Sequence, residues 1–222
     1  MKFKILLAPI MSVLALLAAS VAPASATPLD SVPGGASCEL NSNLFNDTSC
    51  ALQGITPHNA WQSNNPGGTN AVWVSYANTG IGGDTLAPTS QNDWIMKVTE
   101  TFNVGAGGGS ILLQIWADDT AGVYLDGALK ASPVFGQDVC ADGPIGCEPD
   151  EFYALSEGLA AGNHTLEIYT YQVGTGTTVN SNPFGLIYAG DVSGLVPNEV
   201  PVPAALGLFL VGAFGLMGRR RL

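Results

Sequence analysis

Basic residues are scarce in this sequence, and their positions are more informative than their number. The chain has 222 residues, with seven lysines and arginines against eighteen aspartates and glutamates. Between Thr27 and Pro203 only Lys97 and Lys130 are basic, whereas all eighteen acidic residues lie there, so the formal charge of this span is two minus eighteen, or −16. Such a surface repels nucleic acid and anionic lipid, and it has no basic stripe to bind phosphates. We therefore expect no nucleic-acid partner; divalent cations, neutral sugars and cationic polymers remain.

Catalytic motifs are also missing. The sequence contains no G-x-S-x-G, H-E-x-x-H or phosphate-binding glycine motif, and its only histidines are His58 and His164. General-base catalysis would fall to carboxylates, but a chain this acidic always contains candidate carboxylate pairs. We therefore predict that the protein is not an enzyme, with a carbohydrate-active hydrolase as the less favoured alternative.

Helical periodicity is nearly absent, and short runs of β-branched and aromatic residues alternate with glycine, proline and asparagine. In DWIMKVTETFNV the apolar residues recur with period two, which predicts a half-buried strand. Glu100 interrupts its core face and must either reach a sheet edge or find a partner. The predicted core face comprises Trp94, Met96, Val98, Phe102 and Val104, with Ile95 on the opposite face.

Further strands follow with turns between them. ILLQIWADDTAGVYLDGALKASPV reads as three strands, and Asp126-Gly127 predicts a type I′ hairpin turn because both positions need positive φ. GNHTLEIYTYQV predicts a strand with Leu166 and Ile168 on one face and Tyr169 and Tyr171 on the other. With AVWVSYA, EFYALS and FGLIYAGDV the count is about eight. We predict an all-β, jelly-roll-like β-sandwich over residues 27–196.

Four cysteines allow three disulfide connectivities. Loop-closure entropy favours the two local pairs, Cys38 with Cys50 and Cys140 with Cys147, each contributing about 2–3 kcal/mol. A zinc site is the alternative, but neither histidine is placed to complete one.

Both ends of the chain are apolar. Residues 1–26 have two lysines, an apolar run and the small residues Ala24-Ser25-Ala26, which predict a secretory signal peptide and export to an oxidising compartment. The other end reads VPVPAALGLFLVGAFGLMGRRRL: about sixteen apolar residues lie between a proline motif and a basic terminus that the positive-inside rule keeps in the cytoplasm. An ordinary membrane anchor is the alternative reading of this tail.

Residues 197–222 strongly resemble the PEP-CTERM sorting signal of Gram-negative bacteria. The motif here is Val200-Pro201-Val202-Pro203, so that Val202 replaces the usual glutamate, and the basic terminus is Arg219, Arg220 and Arg221. The resemblance implies transient membrane anchoring through a hydrophobic helix and cleavage near the motif by an exosortase. The implied destination is the cell surface or an exopolysaccharide matrix.

The body carries a second resemblance. WADDTAGVYLDG, followed by GNHTLEI and NPFGLIYAG, is similar to galactose-binding-like and protective-antigen-type β-sandwich modules over roughly Ala71 to Val192. In some such modules adjacent aspartates coordinate a calcium ion that holds two sugar hydroxyls, so the resemblance implies a calcium site at Asp118 and Asp119. The alternative is that these two residues end a strand and cap turn amides. Asp126 is expected to be a turn residue.

Two other features bear on binding. Trp61 follows a polar loop and is the tryptophan expected to be exposed, as a platform for a sugar ring. The acidic loop DVCADGPIGCEPDE lacks EF-hand spacing and is expected to be solvated and tied by its disulfide. We predict an exported, non-catalytic protein that binds extracellular polysaccharide with the help of calcium. A structural biofilm-matrix protein without a defined ligand is the alternative.

Overall fold

The computed structural model describes residues 26–135, 140 and 144–195. The predicted signal peptide, except for Ala26, lies outside the described residues. So does the predicted sorting segment, with its motif Val200 to Pro203 and the arginines Arg219 to Arg221. Within the described ranges, no helix is long and apolar enough to cross a membrane.

The described residues form twelve strands in two antiparallel sheets, together with one 3₁₀ turn at Pro66–Gly68. The strands are β1 Thr27–Pro28, β2 Ser37–Leu40, β3 Ser49–Cys50, β4 Gln53–Gly54, β5 Val74–Ser75, β6 Met96–Val104, β7 Gly109–Asp118, β8 Thr120–Leu125, β9 Ala128–Ala131, β10 Tyr153–Leu159, β11 Gly162–Tyr171 and β12 Gly185–Ser193. The first sheet has the order β10-β7-β12-β5-β4, with β1 also paired to β12. The order of the second is β3-β2-β6-β11-β8-β9. The all-β sandwich class is therefore confirmed.

The predicted count of about eight strands is too low. The strands with strong alternation, β6 to β12, are all present at the predicted places, whereas AVWVSYA contributes only Val74–Ser75. The additional strands β1 to β4 are two to four residues long. Strands this short carry no periodic signal, because their backbone pairing is decided by neighbours distant in sequence.

Period-two alternation builds the core between the sheets. In β7, Ile111, Leu113 and Ile115 are buried while Leu112 is 57% exposed. In β11, Leu166 and Ile168 are buried and Tyr169 and Tyr171 are partly exposed on the other face, as predicted.

The burial of residues in β6 follows the predicted alternation from Met96 onward, but the two residues before Met96 do not follow it. Met96, Val98 and Val104 are buried, but so is Ile95, whereas Trp94 is only half-buried. The reason is that β6 begins at Met96, so the preceding residues do not follow the alternation of the strand. Trp94 packs edge-on against Tyr169 outside the core, with ring centroids 5.5 Å apart.

Both predicted disulfides are formed, and no described cysteine is free. Cys38 and Cys50 are directly opposite each other on β2 and β3. Cys140 and Cys147 close a loop in the connection between β9 and β10. This pattern is expected of a protein that works in an oxidising, extracellular environment.

Candidate functional site

The site begins at the corner where the chain passes from one sheet to the other. Asp119 alone separates β7 of the first sheet from β8 of the second. Asp118, the last residue of β7, is 4% exposed and Asp119 is 8% exposed. Acidic side chains are rarely buried to this degree unless they are paired, hydrogen-bonded or bound to a cation.

One oxygen of Asp119 binds the segment that follows β11. Its Oδ2 accepts hydrogen bonds from the backbone N–H groups of Val173, at 2.6 Å, and Gly174, at 2.8 Å. The Asp119 N–H donates to the carbonyl of Tyr171 at 3.1 Å. This is the turn-capping role of the alternative interpretation, and it fastens the loop after β11 to the corner.

Asp118 lies beside the second disulfide. Its carboxylate oxygen and the sulfur atoms of Cys140 and Cys147 lie within 4.8 Å of one another. The two sulfurs are bonded to each other, so neither is a thiolate that could bind zinc. Of these three groups, the Asp118 carboxylate is therefore the one that could bind a metal ion.

A buried amide lies in the segment that Asp119 fastens. Gln172, which directly precedes the amides bound by Asp119, is fully buried. Its Nε2 donates to the carbonyls of Asn182 and Pro183, both at 3.1 Å, whereas its Oε1 has no hydrogen-bond partner in the described part of the chain. Carboxylate, amide and carbonyl oxygens are the ligands that calcium prefers.

The Asp126-Gly127 turn, which belongs to the same motif, has a structural role. Asp126 and Gly127 both have positive φ, 53° and 75°, which confirms the predicted turn. Oδ1 of Asp126 accepts from the N–H of Thr165 at 2.9 Å, and its Oδ2 lies 2.7 Å from Nδ1 of His164. The D-G turn and the G-N-H-T segment are thus fastened to each other, which accounts for Asp126 as a turn residue.

The expectation that Trp61 is exposed is wrong. Trp61 is 5% exposed and stacks on Trp73, with ring centroids 4.3 Å apart. It belongs to an apolar cluster on the outer face of the first sheet, with Trp116 and Ile187. The physical reason is that its loop folds over that face to cover apolar surface, so Trp61 offers no open ring to a sugar.

The described part of the acidic loop is only partly solvated, because Ile145 and Cys147 are fully buried. Asp150 is exposed and Glu148 is partly exposed, while the N–H of Glu151 donates to the carbonyl of Glu148 at 3.1 Å. The remaining acids of this loop, Asp138 and Asp142, lie outside the described residues.

No protein-family model matches the chain, and no curated protein matches it by sequence. Similar solved structures include a cycloisomaltooligosaccharide glucanotransferase of Paenibacillus sp. complexed with cycloisomaltoheptaose. The identity is 13%, the TM-score is 0.35, and the match covers 77% of this chain and 18% of that one. An exo-β-1,3-galactanase of Phanerochaete chrysosporium, solved with galactose, is 14% identical with a TM-score of 0.32, and the match covers 76% of this chain and 29% of that one.

These comparisons correct one prediction. The protein was expected not to be an enzyme, but the similar solved structures are a glucanotransferase and a galactanase, both carbohydrate-active enzymes. We therefore withdraw the prediction that the chain is non-catalytic. The match spans less than a third of the length of either enzyme, and a likeness with these TM-scores gives this chain no activity or substrate.

Proposed function

We propose that the sandwich binds carbohydrate through a calcium ion held at the corner of Asp118 and Asp119. The observation that carries the proposal is the burial of two consecutive carboxylates where the chain crosses between the sheets. Burial removes water from both carboxylates, and a bound divalent cation would offset that cost.

The role of each residue in the proposal follows from its contacts. Asp119 positions the loop after β11, because its Oδ2 accepts two backbone N–H groups of that loop. Its Oδ1 would bind the ion. Asp118 supplies the adjacent carboxylate beside the disulfide. When bound, calcium supplies coordination positions that a pair of sugar hydroxyls can complete.

The experiment is glycan-array binding by the purified protein with calcium and with chelator. We expect binding that requires calcium and that is lost in Asp118→Asn and in Asp119→Asn, since asparagine keeps the shape of the side chain but removes its charge. Asp150→Asn removes an exposed acid of the neighbouring loop and is the matched control. Silence across the array in both conditions would overturn the sugar proposal and favour a structural matrix protein, for which the turn-capping role of Asp119 suffices.

We also propose that the protein is exported and delivered to the cell surface or an exopolysaccharide matrix by an exosortase. The two disulfides support export. The proposed sorting signal comprises Val200 to Pro203 and the terminal arginines. Mass spectrometry of the mature protein should find one end after Ala26 and the other near Pro203; intact ends in the native host would contradict this part of the proposal.

For the sandwich itself we propose a jelly-roll-like connectivity. From β6 to β12 the chain passes repeatedly between the sheets, with β6, β8, β9 and β11 in the second sheet and β7, β10 and β12 in the first. Distances between labels placed on neighbouring strands of each sheet test this connectivity, and distances that require a different strand order would refute it.

A further inference from the structure

The outer face of the second sheet carries a group of aromatic side chains outside the core. Tyr169 of β11 packs edge-on against Trp94, at 5.5 Å, and against Tyr124 of β8, at 5.3 Å between ring centroids. Tyr171, two residues further along β11, packs in the same way against Phe135 at 5.3 Å. All five rings are partly exposed. We call Trp94, Tyr124, Phe135, Tyr169 and Tyr171 the aromatic patch.

The side-chain ammonium group of Lys97 lies against the aromatic patch. Lys97 lies directly opposite Tyr169 on β6, and its Nζ is 5.9 Å from the centre of that ring. The same nitrogen is 2.5 Å from a carboxylate oxygen of Glu39 and 4.0 Å from one of Glu167. Two carboxylates and a ring therefore surround a single cation, and they leave an excess of negative charge at the patch.

A polar track continues from the aromatic patch along the β6–β11 ladder. The outward pairs are Thr99 with Glu167, Thr101 with Thr165, and Asn103 with Asn163, whose side-chain amides are hydrogen-bonded at 2.5 Å. From Lys97 to Asn103 the track is about 20 Å long at roughly 3.3 Å per residue. It ends in a shallow depression of about 460 Å³, lined by Thr101, Phe102, Asn103, Asn163, His164 and Thr165.

The position of this face within its sheet favours a sugar chain over a peptide. Strands β6 and β11 lie in the middle of the second sheet, and beside the aromatic patch their backbones are paired on both sides, β6 with β2 over residues 96–99 and β11 with β8 over residues 166–171. An extended peptide binds strands by adding to a free edge, which β6 and β11 do not offer beside the aromatic patch. Hydroxyl and amide side chains beside aromatic rings suit a polyhydroxylated chain, whose sugar rings have apolar faces.

We propose that this face binds a polysaccharide with free amino groups, such as a glucosamine polymer. The aromatic patch would stack on the sugar rings, while the carboxylates of Glu39 and Glu167 would attract the protonated amines. The strongly acidic body attracts cationic polymers over long distances and repels anionic ones. This inference goes beyond the proposed function, because it places a second site on another surface and needs no calcium.

The test is isothermal titration with a β-1,4-linked glucosamine hexamer near pH 6, in chelator, so that failure of the calcium site does not affect the result. The fully N-acetylated hexamer and hexalysine are the comparison probes. We expect saturable binding of the glucosamine hexamer that weakens at least threefold when salt is raised from about 0.05 to about 0.3 M, and much weaker binding of both comparison probes. Absence of binding, equal binding of the N-acetylated hexamer, or equal binding of hexalysine would each overturn the proposal.

Two variants test the proposal further, because one should weaken binding of the glucosamine hexamer and the other should tighten it. Tyr169→Leu retains an apolar side chain without the ring and should weaken binding at least tenfold. Lys97→Met retains the stem but vacates the ammonium position, so it should tighten binding by about threefold. Leu112→Ala, on the outer face of the other sheet, is the matched control and should change nothing. Unchanged or weaker binding in Lys97→Met, with the fold intact by circular dichroism, would contradict the proposed use of this face.

Discussion

The hydroxyl of Tyr188 donates a 2.6 Å hydrogen bond to Oε1 of Glu100, across the interface between the two sheets. Tyr188 belongs to β12 and is fully buried, while Glu100 belongs to β6 and is partly buried. The glutamate that interrupts the core face of its strand thus has a partner in the opposite sheet. Burial raises the pKa of Glu100, and the hydrogen bond from Tyr188 only partly opposes this effect.

Replacing this glutamate should stabilise the protein at neutral pH. A carboxyl group with a raised pKa in the fold favours the folded state below its unfolded pKa, and that advantage is lost as pH rises through the folded pKa. Glu100→Gln can still accept the Tyr188 hydrogen bond without burying a charge. We expect its melting temperature to exceed that of the wild type by a few degrees near pH 7 and to match it near pH 4.

The partner variant separates charge from hydrogen bonding. Tyr188→Phe leaves the Glu100 carboxylate without its donor and should lose about 1–3 kcal/mol in urea unfolding near pH 7. If Glu100→Gln proved less stable than the wild type at both pH values, burial of this charge would not be the dominant effect.

Stability should also depend on pH through His164 and Asp126, whose charged forms the fold favours, whereas it disfavours the charged form of Glu100. The pKa of His164 is raised by its hydrogen bond to the Ala160 carbonyl and by the one to Asp126, while burial opposes the shift. Burial tends to raise the pKa of Asp126, but the hydrogen bonds from His164 and Thr165 hold that pKa below its usual range. Stability from this pair is therefore greatest between about pH 4 and pH 6.5. It is lost as pH rises through the folded pKa of His164 and as pH falls through that of Asp126.

Thermal unfolding across pH measures this effect. His164→Gln should flatten the melting-temperature profile between about pH 6 and pH 8. His58→Gln changes an exposed loop histidine and should leave the profile as it is. Parallel profiles for the wild type and His164→Gln would show that the ion pair makes no titrating contribution.

Alternation in the sequence was enough to predict the long strands but not the residues beside them. The faces of β11 follow period two throughout, whereas the pattern of β6 fails at Trp94 and Ile95, which precede the strand. The aromatic patch was therefore not predicted, although the sequence places two of its members, Tyr169 and Tyr171, on the outer face of β11. The role of Asp119 in capping Val173 and Gly174 joins positions more than fifty residues apart, which no local pattern encodes.

Trp61 should behave as a core residue. Trp61→Ala removes a buried ring from its stack on Trp73 and should cost about 3–5 kcal/mol of unfolding free energy. Trp61→Phe keeps an aromatic ring and should recover most of the loss. Denaturant titration followed by tryptophan fluorescence measures both. A Trp61→Ala variant of unchanged stability would show that the ring is not packed as described.

The disulfide between β2 and β3 should be a substantial source of stability. Cys38 and Cys50 are twelve positions apart, so the double variant Cys38→Ala, Cys50→Ala frees a short loop and should lose about 2–3 kcal/mol. Urea unfolding under non-reducing conditions measures the difference. Equal stability of the variant and the wild type would show that the β2–β3 pairing is held by other contacts.

Calorimetric titration of calcium into the purified, metal-free protein tests the central claim most directly. We predict saturable binding of one ion, lost in Asp118→Asn and in Asp119→Asn and retained in Asp150→Asn. Absence of binding to the wild type, or equal binding by all of these proteins, would contradict a calcium site at the corner between the sheets.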